Sequence, residues 1–354
     1  MRLSIVTRTL LLLALVSAAL LPQTRAQTPD ERGQFRIGDI NFYGLRKTAA
    51  EKILSALELK AGATLPPSKG AMEERIEEMS GVVQARVEAV CCSGASVTLF
   101  IGVEEKGSPH FDYRTVPAGS AALPPEIMDT YHAFLAAVER AAQAGNAAED
   151  LTAGHSMMAD PAARALQENL ASLAADHTNQ LREVLRSGSE PEERAVAAAV
   201  IGYAPQKAAV INDLQYALQD ADEAVRANAV RSLKAVAVLA ARQPGLGIRI
   251  QATWFVEMLN SIVLSDRVQS AGALVVLTDR ADAAALDLMR ERALPALAEM
   301  ARWKTLRYAL PPFLLVGRIA GVPDAETHRS WERGDRETVI GKALATVSKG
   351  KRLP

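Results

Sequence analysis

Residues 211–233 read INDLQYALQDADEAVRANAVRSL, and this stretch decides the fold of most of the chain. Its apolar residues form two series at the three- and four-residue spacing of a helix face: Ile211, Leu214 and Leu218, then Val225, Ala229, Val230 and Leu233. Between the two series, residues 220–223 predict a turn followed by an aspartate N-cap. The stretch therefore predicts two short helices that pack side by side.

This helical pair resembles a HEAT repeat, in which an acidic turn leads into the pattern Val-Arg-x-x-Ala-x-x-x-Leu that begins here at Val225. Arg194 starts a second copy 32 residues before Arg226, in the same phase. Looser copies follow: Val256, Leu259, Val263, Asp266, Val268, Ala273 and Leu277 form a third, 294–300 and 312–319 mark a fourth and a fifth, and 335–347 supply a closing helix.

The resemblance implies an all-α right-handed solenoid of HEAT-like helix pairs over residues 126–348. Such repeats bury their apolar faces only by stacking, and the stack presents an extended concave face to other proteins. Arg226 is the candidate protein-binding residue of this region. The role favoured for Arg226 is nevertheless a bond to an acidic group of the neighbouring repeat, because solenoid stability depends on repeat interfaces.

Residues 35–105 predict a smaller α+β domain of order βααββ. Residues 35–42 alternate between apolar and polar as a half-buried strand does, and Thr48-x-x-Glu51 predicts a capping box at the start of a short helix. A second helix follows Pro66 and Pro67. Two alternating series, Val83, Ala85, Val87 and Ala89, then Val97, Leu99, Ile101 and Val103, predict a closing hairpin.

This domain resembles a POTRA (polypeptide-transport-associated) domain through INFYGL at 40–45, LELKAG at 57–62, MSGV at 79–82 and VTLFIGVEE at 97–105. The resemblance implies an envelope location and binding of extended chains at a sheet edge, where unpaired amides and carbonyls accept a further strand. Val97, Leu99 and Ile101 are the candidate protein-binding residues of this edge. The alternative is an edge that is blocked by the domain's own linker.

Glycine and proline interrupt residues 106–125, which we interpret as the linker between the two domains. The segment Phe111-Asp112-Tyr113 is apolar enough to lie against one of them. Residues 349–354 form a basic tail.

The chain begins with a predicted signal peptide, residues 1–26. Arg2 and Arg8 precede an apolar run at 10–21 and the small-residue site Thr24-Arg25-Ala26. The run is too short to span a ~30 Å hydrocarbon core as a helix, so we expect cleavage after Ala26, a periplasmic protein and no integral membrane span in the mature chain. The alternative is an uncleaved anchor in the inner membrane. A net charge of −1 gives no electrostatic case for nucleic acid.

No phosphate-binding loop, nucleophile elbow or zinc signature occurs in the sequence, and we expect neither catalysis nor a cofactor. His155, Met157 and Met158 are soft ligands suited to Cu(I); the alternative is a loop whose methionines fill a gap between helices.

Adjacent Cys91 and Cys92 form a vicinal disulfide, or else one buried and one exposed thiol.

These features favour a non-catalytic periplasmic adaptor that binds other envelope proteins or extended polypeptide segments through a sheet edge and a concave helical face. Two alternatives remain open at this point. One is a metal-binding or lyase-type accessory enzyme built on the helical array, and the other is a membrane-tethered factor for cell division or envelope stability.

Overall fold

The computed structural model describes residues 35–93, 96–279 and 282–350, except for the side chains of Cys92, Ser93 and residues 348–350. The predicted signal peptide, residues 1–26, lies outside the described residues, as do residues 351–354 of the basic tail. The amino-terminal part contains β1 (Arg36–Tyr43), α1 (Ala50–Leu57), α2 (Lys69–Glu77), β2 (Val82–Ser93) and β3 (Ser96–Glu105).

These strands form one mixed sheet in the order β1–β3–β2. β1 runs parallel to β3, and β2 runs antiparallel to it. The helices α1 and α2 cover one face, where Ile53 and Ile76 share a buried cluster with Leu99 and Ile101. The expected βααββ domain is therefore confirmed as a small mixed α/β unit.

β3 is the middle strand, and this corrects one expectation. Val97, Leu99 and Ile101 are at most 4% exposed and lie between two paired strands, so they do not form a free sheet edge. Phe100 shows the reason, because it is fully buried although its neighbours in the strand face the helices. A strand that is apolar on both faces belongs in the interior of a sheet.

The remainder of the described chain is helical apart from a two-residue ladder. Its elements are α3 (Pro125–Gln143), β4 (Glu149–Asp150), β5 (Met157–Met158), α4 (Pro161–Asp176), α5 (Thr178–Ser187), α6 (Pro191–Val200), α7 (Lys207–Ala217), α8 (Glu223–Arg242), α9 (Thr253–Met258), α10 (Leu264–Leu277), α11 (Ala283–Arg292), α12 (Leu294–Ala301), α13 (Leu306–Ile319), α14 (Asp324–Glu332) and α15 (Arg336–Gly350). The pairs α5/α6, α7/α8 and α9/α10 pack as helical hairpins, and the second helices α6, α8, α10 and α13 stack on one another. This is the expected arrangement of HEAT-like pairs.

A row of buried arginines joins successive pairs. The guanidinium of Arg194 forms a two-pronged ion pair with Asp220, at 2.9 and 3.0 Å, and donates to two carbonyls of the turn before its own helix. Arg226 repeats the arrangement with Asp266, one pair further along. Arg226 therefore bonds to an acidic group of the neighbouring repeat, as expected, and at 1% exposure it is not available to a partner.

The open face of the sheet packs on the helical part near α12 and α13. Trp303 contacts the ring of Phe100 edge-on at a centroid distance of 5.0 Å and donates from its indole nitrogen to the Phe42 carbonyl. The Tyr43 hydroxyl donates to the Ile262 carbonyl at 2.9 Å. The Gly44 amide donates to the Glu299 carboxylate, also at 2.9 Å. Tyr43 and Phe100 of the sheet domain therefore belong to the buried core of the helical part.

Residues 106–123 lie along the turns between the first and second helices of successive pairs, and we call them the strap. Its contacts are ordered along the stack: Tyr113 with Ser261 and Arg226, Arg114 with Tyr216 and Gln219, Gly119 with Gly188 and Ser189, and Leu123 with Glu193. From Tyr113 to Leu123, the strap contacts repeats that lie progressively earlier in the sequence. It therefore runs against the direction of the repeats.

Within the described ranges, no helix combines the length and the apolarity that a transmembrane segment needs.

Candidate functional site

One side of α8 and α10 carries small side chains between longer polar ones, and we call it the groove face. On α8, Glu223, Ala227 and Arg231 follow one another at four-residue spacing and are at least partly exposed. On α10, partly exposed side chains recur at helical spacing: Ser265, Val268, Gln269 and Gly272. Because alanine, serine and glycine project little, a partner backbone is able to approach both helices closely.

Two depressions lie on this face, one at Glu223 and the other at Arg231. These residues are about 12 Å apart along α8, because a helix rises ~1.5 Å per residue. The first is bordered by β2 through Glu88 and Val90, by α10 and by Tyr308 of α13. The second is bordered by α3 and by the loop that carries His155. The groove face thus lies between two walls that come from distant parts of the sequence, β2 at one end and α3 at the other.

The edges of the sheet are partly occupied by the domain's own groups. On β2, the outward amides of Ala85 and Val87 donate to the carboxylates of Glu77 and Glu73 of α2, at 2.9 and 2.8 Å. On β1, residues 62–65 bond to the start of the strand, and Trp303 bonds to its end. These contacts occupy part of each edge, as in the alternative of a self-blocked edge.

The depression beside α3 is a cavity of about 130 Å³ with an apolar and a polar side. Phe134, Leu135 and Val138 of α3 line the apolar side. Phenol, guanidinium and imidazole groups line the polar side, from Tyr131, Tyr203, Arg231 and His155. Gly202 packs directly against Ser232 of α8, and no side chain fits there, since a Cβ at position 202 would lie 2.4 Å from the Ser232 hydroxyl.

Burial sets the protonation states of the tyrosine and histidine side chains that line this cavity. Burial raises the pKa of the Tyr203 phenol to about 12 and that of Tyr131 above its ordinary value, so both hydroxyls stay protonated. Burial lowers the pKa of the His155 imidazole to about 4, and the nearby Lys207 ammonium lowers it further. His155 is therefore neutral at pH 7, and the nearby charges are Lys207, Arg231 and Glu149, which pairs with Arg231.

The predicted metal ligands do not converge around one point. Met158 is 1% exposed and belongs to the main core, which fits the alternative of a gap-filling methionine. Met157 is its neighbour on β5, where adjacent side chains point to opposite faces. His155 stacks on Tyr203 at 5.3 Å. Within the described residues, no group of three or more histidine, cysteine or acidic side chains is placed to hold a metal, and copper binding stays a prediction.

Cys91 takes part in a disulfide. The side chain of Cys92 lies outside the described residues, so the Cys91–Cys92 pairing stays a prediction.

Sequence reasoning missed several of the residues that build this region. Arg267 donates to the Ser261 carbonyl as the third member of the arginine row, and its guanidinium also faces the Tyr43 ring at 4.8 Å. The signal for it was present, since Arg267 opens a helix as Arg226 does. Tyr131 and Tyr203 carried no such signal, because only the fold brings α3 beside the end of α6.

A comparison with protein-family models matched the description "HEAT repeats" over residues 178–244. The match spans the helices from α5 to the end of α8 and so includes Arg194 and Arg226. A search of curated proteins found no relative of this chain.

Proposed function

We propose that this protein is a non-catalytic scaffold of the bacterial envelope that binds a segment of another polypeptide along the groove face. The observation that carries the proposal is the placement of this face between β2 and α3, with the sheet domain fixed on the helices by Trp303 and Tyr43. A site bordered by three separated parts of a chain has a defined shape, as selective binding requires. The match to HEAT repeats supports a protein partner.

The proposed binding surface lies on the helices and not at the sheet edge, because Val97, Leu99 and Ile101 belong to the middle strand. The β2 edge contributes a wall through Glu88 and Val90 and does not need to pair with an added strand. Small residues at Ala227 and Gly272 form the floor, and polar groups at both ends fix the orientation of the segment.

Site-specific photocrosslinking in the native host tests this surface. A photoreactive phenylalanine analogue replaces Ala227 or Gln269 on the groove face, and Ala208, exposed on α7, is the matched control position. We expect one discrete envelope protein to crosslink from both groove positions and not from Ala208. The variant Ala227→Arg should abolish the crosslink from Gln269, whereas Ala208→Arg should leave it intact. Equal crosslinking from all three positions would contradict the proposal.

The proposed periplasmic location rests on the export pattern of residues 1–26. Cell fractionation with intact mass measurement tests it, and we expect a periplasmic chain that begins at Gln27. A full-length chain in the membrane fraction would favour the anchored alternative, and a full-length cytoplasmic chain would contradict export.

A further inference from the structure

We infer that the cavity beside α3 binds the carboxyl-terminal residue of a polypeptide, with its carboxylate on the tyrosine hydroxyls and its apolar side chain against α3. This inference rests on the proposed function, because it names the part of the bound segment that the second depression receives. It is argued from the hydrogen-bond capacity, the charge and the shape of the cavity.

Each tyrosine hydroxyl on the polar side already accepts one hydrogen bond from an amide. Asn228 donates to Tyr131 at 3.3 Å, and Gln167 donates to Tyr203 at 2.8 Å. The orientation of both amides is fixed by backbone partners: the Asn228 nitrogen also donates to the Ala195 carbonyl, and the Gln167 oxygen accepts from the Met158 amide. The phenol oxygens are therefore acceptors in these bonds, and each keeps its own hydrogen to donate.

Neither phenol hydrogen has an acceptor among the described residues, so the cavity carries two donors without partners. A ligand with acceptor atoms that enters the cavity would accept hydrogen bonds from both donors. A carboxylate has two acceptor oxygens and no donor when ionised, and hydrogen bonds to a charged acceptor are stronger than neutral ones. The hydrogen-bonding capacity of this site thus matches a carboxylate.

The charged groups near the cavity also favour a carboxylate ligand. Lys207 lies under the loop of His155, is 7% exposed and donates to the Gly202 carbonyl at 2.6 Å. Burial lowers the pKa of this ammonium to about 8, and no carboxylate offsets that effect. Arg231 is half exposed and shares Glu149 with the Ser156 hydroxyl. Two cations and one anion leave a net positive site, which favours an anionic ligand.

The shape separates a terminal carboxylate from an acidic side chain. A carboxyl-terminal residue carries its carboxylate and an apolar side chain on the same carbon atom, whereas the carboxylate of aspartate or glutamate has no apolar branch beside it. Phe134, Leu135 and Val138 line the same cavity as the phenols, and its 130 Å³ is close to the ~150 Å³ of cavities that hold a benzene-sized group. One apolar side chain fits this space. The open groove along α8 would receive the preceding residues.

Calorimetric titration of the purified protein with N-acetyl-Gly-Gly-Leu tests the inference. We expect saturable binding at millimolar concentration or below, with affinity at least 10-fold weaker for the carboxyl-terminal amide of the same peptide. Tyr131→Phe and Tyr203→Phe should each weaken binding of the acid by 5-fold or more and weaken binding of the amide less, because the amide has one carbonyl acceptor and no charge. Tyr216→Phe, on α7 and away from the groove face, is the matched control and should leave both affinities unchanged.

Three results would overturn the inference: equal affinity for acid and amide, tyrosine variants that bind the acid as the original protein does, or equal binding of the internal acidic peptide N-acetyl-Gly-Asp-Gly-amide. Thermal unfolding of each variant confirms that it is folded before titration. Failure here is distinct from failure of the scaffold proposal, because crosslinking from Ala227 and Gln269 does not depend on which end of the partner is bound.

Discussion

At the scale of single residues, Asp266 shows how the arginine row holds the repeats together. Its carboxylate receives the Arg226 guanidinium and the Ser261 hydroxyl, the latter at 2.7 Å, and Tyr113 of the strap covers the pair with its ring. Burial raises the pKa of Asp266, and these donors oppose that effect. Both partners are almost fully enclosed, so removing one leaves the other charge without compensation.

We expect Asp266→Ala to lower the free energy of unfolding by about 3–5 kcal/mol, because Arg226 would remain buried and unpaired. Asp213→Ala is the matched control. Asp213 binds two arginines, Arg182 and Arg186, but both are partly exposed and would return to water, so a loss of about 1 kcal/mol is expected. Urea unfolding measures both variants. The double variant Arg226→Met/Asp266→Leu should recover most of the loss, and equal losses for the two single variants would contradict this account.

At the scale of elements, the sequence predicted the type and the order of helices and strands well, because local periodicity reports burial directly. It did not predict how the strands are arranged. The alternation of Val97, Leu99 and Ile101 suggested a half-exposed strand, while Phe100 in the opposite phase was the sign of a central one. The pairing of β1 with β3 depends on contacts distant in sequence, and so does the docking of Phe100 on Trp303.

The capping box predicted at Thr48 is a second local error with a physical cause. The N-cap of α1 is Ala49, without a side-chain bond. The backbone amides of Arg46, Lys47 and Thr48 all donate to the carboxylate of Glu105 at the end of β3. Burial would raise the pKa of Glu105, but these three amides outweigh it and hold the pKa below its ordinary value. A carboxylate 57 residues away from Thr48 thus fixes the loop before α1, and the helix begins without a side-chain cap.

The contact between β1 and β3 gives a prediction at this scale. Gly102 lies beside Tyr43, and a Cβ at this position would come within 2.3 Å of the phenol ring. We expect Gly102→Ala to displace the ring, break its bond to the Ile262 carbonyl and cost about 1–3 kcal/mol, as overpacked cores do. Differential scanning calorimetry with limited proteolysis measures the effect, and residues 35–105 should become more susceptible to cleavage.

Gly70→Ala is the control for this prediction, because a Cβ at Gly70 meets nothing within 4 Å. It should leave the unfolding temperature unchanged or raise it slightly. An unchanged protease pattern for Gly102→Ala would show that Tyr43 does not hold the domains together.

At the scale of the whole molecule, the strap connects the sheet domain to α3 by running back along the stack. Arg114 shows how the strap is held on the turns. Its guanidinium lies 3.3 Å from the Tyr216 ring centre and donates to the Tyr216 carbonyl. Its backbone amide donates to the Gln219 carbonyl. Prolines and glycines in the sequence predicted a linker without regular structure. They did not predict its path. The strap bonds to carbonyls in the turns between helices, and these turns come into line only when the repeats stack.

We expect Arg114→Ala to loosen the turns that the strap covers while leaving the repeats folded. Hydrogen exchange followed by mass spectrometry should show faster exchange at residues 216–222, with little change in α13. Arg307→Ala is the matched control, because Arg307 also stacks on a tyrosine, Tyr308, but lies outside the strap. Faster exchange in both variants at residues 216–222, or in neither, would contradict this role.

The return path of the strap has a consequence for synthesis and folding. The receptor for the first domain is made from Ile262, Glu299 and Trp303, which leave the ribosome some 220 to 260 residues after Tyr43. The apolar side of the sheet around Phe100 therefore stays uncovered until Trp303 has been synthesised. Once it docks, the sheet domain, the strap and the repeats between them form a closed loop, so these repeats are held at both ends of the strap.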